Sequence, residues 1–318
     1  MNEISPWHWA GFILCILFFI ALDLGALSRR PGVPGFWSSL AWSGLWVGLA
    51  LIFAMGLSHW RGRAEATQFV TGYLIELSLS LDNILVIALI FSAFKVPATL
   101  QHPVLLWGIL GALTMRGVMI GLGAALIHQF SWVLYLFGAF LIFTGIKMAR
   151  SRLAVVDPDQ HPLVRLVRQF FPVSKEFVGT RFAARINQRR VLTPLALVLV
   201  LVESSDLVFA VDSVPAVFSV TRNAFIVFTS NVFAILGLRS LYFLLAGAMA
   251  YFRHLKAGLA VVLVFVGIKM LLEPHGPKSF WFQYSMGNGI SLLIIAVILG
   301  AAMLASVAAA RSNCGRRG

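Results

Sequence analysis

A succession of unbroken apolar runs, each about 20 residues long, limits this chain more than any other feature, because that length crosses a bilayer's hydrocarbon core. Inside lipid the backbone has no water to bond, so only helices and closed barrels can span it. A barrel strand alternates polar and apolar residues, and these runs do not, so they are read as helices. Of the 318 residues, 59% are hydrophobic and 12% charged, about half the charged share of a soluble domain. A soluble fold would need a core larger than a chain of this size encloses. The fold class is therefore all-α: a polytopic membrane protein with about nine transmembrane helices. The spans fall near 8–28, 37–58, 67–92, 103–125, 131–148, 193–220, 223–250, 257–272 and 284–309. Trp7, Trp9, Trp37, Trp132 and Trp281 cluster near span ends, as interfacial anchors do.

A net charge of +13 invites a nucleic-acid reading. It is rejected, because the basic residues sit at helix ends and in loops, the positive-inside pattern. With the N-terminus outside, the inner segments hold 17 Lys and Arg, the outer ones 4 (Arg61, Arg63, Arg222, Lys278), and the spans the other 4 (Arg116, Lys147, Arg239, Lys269). That asymmetry predicts N-out, C-in, and agrees with an odd span count. The two cysteines, Cys15 and Cys314, can supply neither a disulfide framework nor a cysteine zinc site. The N-terminus does not read as a cleaved signal peptide, since no basic region precedes its apolar run and Asp23 interrupts it.

The long segment 149–192 is basic and expected to be cytoplasmic. Its piece Val164–Phe171 is amphipathic and could lie on an anionic leaflet. The plainer reading is a topology-setting loop and nothing more.

An internal repeat organises the rest. Glu76 and Asp82-Asn83 in the third span match Asp206 and Asp212-Ser213 in the sixth, each an acid followed six residues on by Asp and a small polar residue. Each unit then carries a mid-span arginine, Arg116 or Arg239, and closes on Gly-Ile-Lys-Met at 145–148 or 267–270. The Arg-to-Lys intervals are 31 and 30 residues. Three landmarks in one order predict two copies of a three-helix unit, and an odd number of crossings inverts the second copy. The expected organisation is 1–66, two peripheral helices; 67–148, the first repeat; 149–192, the basic loop; 193–272, the inverted repeat; and 273–318, the last helix and a basic tail.

Six of the 12 acids lie within spans: Asp23, Glu76, Asp82, Glu203, Asp206 and Asp212. A carboxylate at a helix centre costs about 2.5–3.5 kcal/mol on insertion scales, so such groups face each other, a cation or water. The bland reading is a set of ion pairs that pin helices together. Four in-span cations leave two acids over, which need a proton or a metal ion. Glu76, Ser80 and Asn83 share one helix face, as do Asp206 and Ser213. Asp82 lies about 240° from Glu76 and joins that face only if the helix is distorted. Pro215 cannot donate to the carbonyl of Val211, which predicts such a distortion in the sixth span and a free oxygen beside Asp212.

The donors are carboxylates, a carboxamide, hydroxyls and that carbonyl. Hard oxygen ligands suit Mn²⁺, Ca²⁺ or Mg²⁺. The histidines fall at span ends or in loops and read as interfacial residues. The metal ligands expected are Glu76, Asp82, Asn83, Asp206, Asp212 and Ser213. Ser80, Arg116, Glu203, Arg239 and Asp23 are their charge partners or supports, Asp23 pairing with Arg29 or Arg30 in the plainer view. Lys147 and Lys269 read as snorkelling side chains, and Thr144 as a helix-packing group. Surplus acids suggest exchange of metal for protons.

These same motifs resemble a known family. Leu79-Ser80-Leu81-Asp82-Asn83, Ser205–Ala216, Thr229–Arg239 and Gly267-Ile268-Lys269-Met270 look like those of the TerC family, which includes Alx-type proteins. The resemblance runs from Leu22-Asp23-Leu24 to the last span, and departs at Ser205, where threonine is expected and a hydroxyl is kept. It implies an integral protein of the bacterial inner membrane, manganese homeostasis and Mn²⁺ export, with Glu76, Asp82, Asp206 and Asp212 as the matching acids. It implies no permanently bound cofactor, and its partners are the bilayer, a divalent ion and protons.

The chief alternative is a non-transporting scaffold of a metal or tellurite stress complex, in which the acids are structural. An exporter of organic cations would need a larger cavity. An intramembrane hydrolase is disfavoured because no Gly-x-Gly-Asp or His-Glu-x-x-His pattern occurs, so the chain is not expected to be an enzyme.

Overall fold

The computed structural model describes residues 6–28, 35–150, 161–174, 176–186, 189–246, 255–273 and 287–314, without the side chains of 22–28, 186, 246, 255, 307 and 309–314. The described residues are helical almost throughout. In order come α1 (Pro6–Ser28), α2 (Phe36–Trp60), α3 (Arg63–Ala93), α4 (Ala98–Gln129), α5 (Val133–Arg150), α6 (Pro162–Phe170), strands β1 (Ala183–Ile186) and β2 (Arg189–Leu192), then α7 (Pro194–Phe218), α8 (Ala224–Leu236), α9 (Leu238–Ala246), α10 (Leu255–Leu272) and α11 (Asn288–Cys314). Within the described residues, each apolar run read from the sequence falls on a helix, or in one case on the pair α8 and α9. Among the described residues seven segments are long and apolar enough to cross a membrane: α2, α3, α4, α5, α7, Ala224–Leu245 and Asn288–Ser306 of α11. Their outward faces carry bare Leu51, Ile52 and Met55 on α2, and Leu293, Val297 and Leu304 on α11. Apolar surface of that extent belongs in lipid, not in water.

Local rules set the ends. Pro194 occupies the first turn of α7, where its missing N–H costs nothing. Asn223 caps α8 by accepting the Phe225 N–H at 3.1 Å.

The bundle has its contacts in exchangeable pairs. α3 packs on α8 as α7 packs on α4, while α3 meets α7 and α5 meets α10. α5 and α10 cross on small residues. A Cβ on Gly267 would come within 2.7 Å of the Gly138 carbonyl oxygen, and one on Gly145 within 2.9 Å of the Ala260 oxygen. Only glycine allows backbones this close.

Two apolar cores divide the bundle. One gathers Ile75, Leu79, Leu141, Val217 and Leu263. The other gathers Ile84, Ile87, Val104, Leu201 and Tyr242 and takes in Val164 of α6. A third core seats α1 and α2 on α3 and α8 through Phe12, Trp46, Phe69 and Phe233.

Two features differ from the sequence reading. α7 runs as a helix straight through Pro215 to Phe218, so the distortion expected there is absent. The lost hydrogen bond falls within a turn of the helix end, where little helix remains to be disrupted. An interruption occurs instead at Gly237, between α8 and α9. The segment read as a loop also contains a two-stranded antiparallel hairpin, Ala183 pairing with Leu192 and Arg185 with Arg190.

Candidate functional site

Between the first two cores, α3, α4, α7 and α8 bring together a buried polar layer. Arg116 of α4 stands at its centre and is 2% exposed. Its guanidinium pairs with the Glu76 carboxylate of α3 and, through Nη2, with Asp206 Oδ1 of α7 at 3.3 Å. Nη1 donates to Ser213 Oγ at 3.2 Å and to Asn231 Oδ1 of α8 at 3.0 Å. Asn83 Nδ2 donates to Asp206 Oδ1 at 2.8 Å, tying α3 directly to α7. Glu76, Ser213 and Asn231 are fully buried. This geometry follows from the helix faces: Glu76 and Asn83 are seven residues apart on α3, Asp206 and Ser213 seven apart on α7.

The layer is not fully satisfied. Asp206 Oδ2, Asn83 Oδ1 and Ser80 Oγ are buried without a hydrogen-bond partner among the described residues. Buried oxygens are rarely left so without cause. Asn83, Asp206 and Arg239 line a cavity of about 20 Å³ whose other walls are apolar, among them Ile87, Leu105 and Ile235. That is room for about one water molecule or one bare ion. Arg239 Nη1 also meets His102 Nε2 at 3.2 Å. Glu203, beside Asp206, folds its carboxylate over the backbone of Gly111, into the space a Cβ there would occupy.

Two acids expected at the site lie elsewhere. Asp212 lies near Thr144 and Lys147 of α5. Asp82 faces Lys256 of α10. Both are partly exposed. α3 remains one unbroken helix, so the 240° offset of Asp82 from Glu76 is not removed. α3 and α7 run antiparallel, since Asn83 meets Asp206 while Gly72 lies against Val217. Asp82 therefore sits near the level of Asp206, and Asp212 near that of Glu76. The side chain of Asp23 lies outside the described residues. Among the described residues no three His, Cys, Asp or Glu side chains gather as a metal-ligand group.

Sequence reasoning missed Asn231, Thr144, Lys147 and Lys256 as site residues. Asn231 had a signal: Thr229-Ser230-Asn231 is a polar triplet inside an apolar helix. Lys147 and Lys256 had none, because only the packing of α5 on α7 and of α10 on α3 brings lysine to carboxylate. Lys269, read as snorkelling, is instead buried and pairs with Glu273 at 3.4 Å.

An all-helical bundle with bare apolar flanks and a charged layer sealed inside defines a polytopic integral membrane protein. Residues 61–313 match the model of the integral membrane protein TerC family, and the chain belongs to that family. It is 48% identical over 307 residues to an uncharacterized membrane protein of Myxococcus xanthus, covering 96% of this chain and 94% of that one. It is 45% identical over 313 residues to the putative membrane-bound redox modulator Alx of Escherichia coli K12, covering 95% of this chain and 96% of the other. An uncharacterized membrane protein of Rickettsia bellii is 37% identical over 289 residues, covering 91% of this chain and 95% of that protein. No solved structure matches the chain.

Proposed function

We propose that the protein exports a divalent cation, Mn²⁺ before Ca²⁺ or Mg²⁺, in exchange for protons. The observation that carries this is the buried oxygens left without donors around a cavity of about 20 Å³. Glu76 and Asp206 bring two carboxylates to one guanidinium. The unmatched negative charge calls for a proton or a cation, and hard oxygens suit the metals named. In the arrangement seen, Arg116 acts as a tethered cation that holds both acids. A divalent ion reaching Asp206 and Asn83 competes with the guanidinium and with any bound proton. Asp82 and Asp212 serve as the steps by which the ion reaches the layer and leaves it.

The exchangeable helix pairs and the Gly138–Gly267 and Gly145–Ala260 crossings support two inverted three-helix repeats, α3–α5 and α7–α10, with the site between them. Nine crossings, an outer N-terminus, a cytoplasmic C-terminus and residence in the bacterial inner membrane complete the reading, from the charge asymmetry of the sequence and the bacterial relatives. The rival reading, a non-transporting scaffold, draws on the same Arg116 network, which joins four helices.

Mn²⁺ flux into proteoliposomes separates the two. Folded wild type carries Mn²⁺ in a pH-dependent way, and Asp206→Asn, Asp82→Asn and Asp212→Asn lose it. If folded wild type carries no divalent ion, the transport reading falls and the scaffold stands.

A further inference from the structure

We propose that α6 and the β1–β2 hairpin form a docking surface for the headgroups of anionic phospholipids. The proposal is independent of the transported ion.

α6 is divided along its length. Leu163, Val164 and Val167 pack into the core shared with α3 and α7, Val164 being 1% exposed. Leu166 and Phe170, one turn apart on the neighbouring flank, are 49% and 73% exposed. Phe171 follows them, 55% exposed. Arg165 and Arg168 take the polar side. The protein thus covers half of the apolar arc and leaves the other half bare beside two arginines. A helix lying in a membrane interface presents this combination of faces.

The hairpin supplies charge without a counter-charge. Arg185 and Arg190 face each other in register across the two strands, and both are exposed. Like charges directly opposite are destabilising. Arg181 and Arg189 add two more exposed cations. Among the described residues none of these four arginines has an ion-pair partner. A bound anion relieves the Arg185–Arg190 repulsion.

The two parts are joined. The Ser174 N–H donates to the Leu192 carbonyl at 2.8 Å, fastening the chain after α6 to β2. Beside that junction lies an open cleft of about 620 Å³, lined by Ala93, Phe94, Phe171, Val173 and Leu197 with Arg168 among them. It has walls for an acyl chain and a cation for a phosphate. Phosphatidylglycerol-type lipids meet all three features together: phosphate for arginine, chain for cleft, and a bilayer surface for Leu166 and Phe170.

The test is native mass spectrometry on the full-length protein in detergent, titrated with phosphatidylglycerol and, separately, phosphatidylcholine. Wild type retains phosphatidylglycerol in preference, and added salt reduces that preference. Arg185→Gln with Arg190→Gln weakens phosphatidylglycerol binding on the order of 30-fold, while Arg185→Lys with Arg190→Lys keeps it within about threefold. Leu166→Ser with Phe170→Ser weakens it without altering charge. Equal retention of the two lipids by wild type overturns the proposal. So does unchanged affinity in the serine pair and in the folded glutamine pair. If the arginines prove necessary only for binding RNA or an acidic peptide, the surface belongs to another partner and the lipid assignment fails.

Discussion

The four acids of the repeat motif occupy two contrasting settings. Glu76 and Asp206 are sealed in the centre, held by one arginine that also bonds Ser213 and Asn231. Asp82 and Asp212 are partly exposed, and each has a lysine of a flanking helix within electrostatic reach. In the first setting the charges tie four helices together, so removing one leaves its partners less well compensated. In the second each carboxylate is only partly buried, so losing its charge should cost the fold less. One motif thus supplies two acids that tie the helices together and two that lie at the margin of the layer.

Removing the central cation should have the largest effect. Arg116→Met leaves two buried acids with no guanidinium and should cost about 3–5 kcal/mol, read as a lowered Tm in detergent. Glu76→Gln added to Arg116→Met should recover much of it, because fewer uncompensated charges remain. A small loss in the single variant would break the contrast. Next comes the α5–α10 crossing, which places Thr144 and Lys147 beside Asp212. Gly267→Ala puts a methyl against backbone on α5 and should cost about 1–3 kcal/mol, with the Asp212 surroundings disturbed and the centre intact. Thr144→Val removes a hydroxyl close to Asp212 and should cost about 1 kcal/mol or less. Asp82→Asn and Asp212→Asn should change stability by about 0.5 kcal/mol or less while abolishing Mn²⁺ flux. If either of them unfolds the protein instead, the outlying acids are structural and the two settings collapse into one.

The helix-face argument from the sequence already separated these settings. Its spacing put Glu76, Ser80 and Asn83 together and set Asp82 aside, and a straight α3 keeps it aside. The expected remedy, a distortion allowing every acid to converge, does not occur, since α7 passes Pro215 as a helix. Arg116 was legible as a charge partner from the cost of a lone cation in lipid. Which acids it takes was not, because that choice depends on how α4 is rotated against α3 and α7. Nothing in the composition of residues 149–192 distinguished a basic loop from a hairpin. Arg185 and Arg190 stand opposite each other only once the strands pair.

The sequence by itself determined that this chain is a helical membrane protein, where its apolar helices fall, and that its acids could not face lipid. These follow from free-energy costs paid residue by residue, which any segment reveals alone. The tertiary structure alone decided that Arg116 binds Glu76 and Asp206, that Asn231 completes its shell, that Asp82 and Asp212 come within electrostatic reach of lysines, and that a small cavity lies against Asp206. Those outcomes depend on the rotation, height and crossing of helices brought together across long stretches of chain, where small residues such as Gly138 and Gly267 let backbones touch.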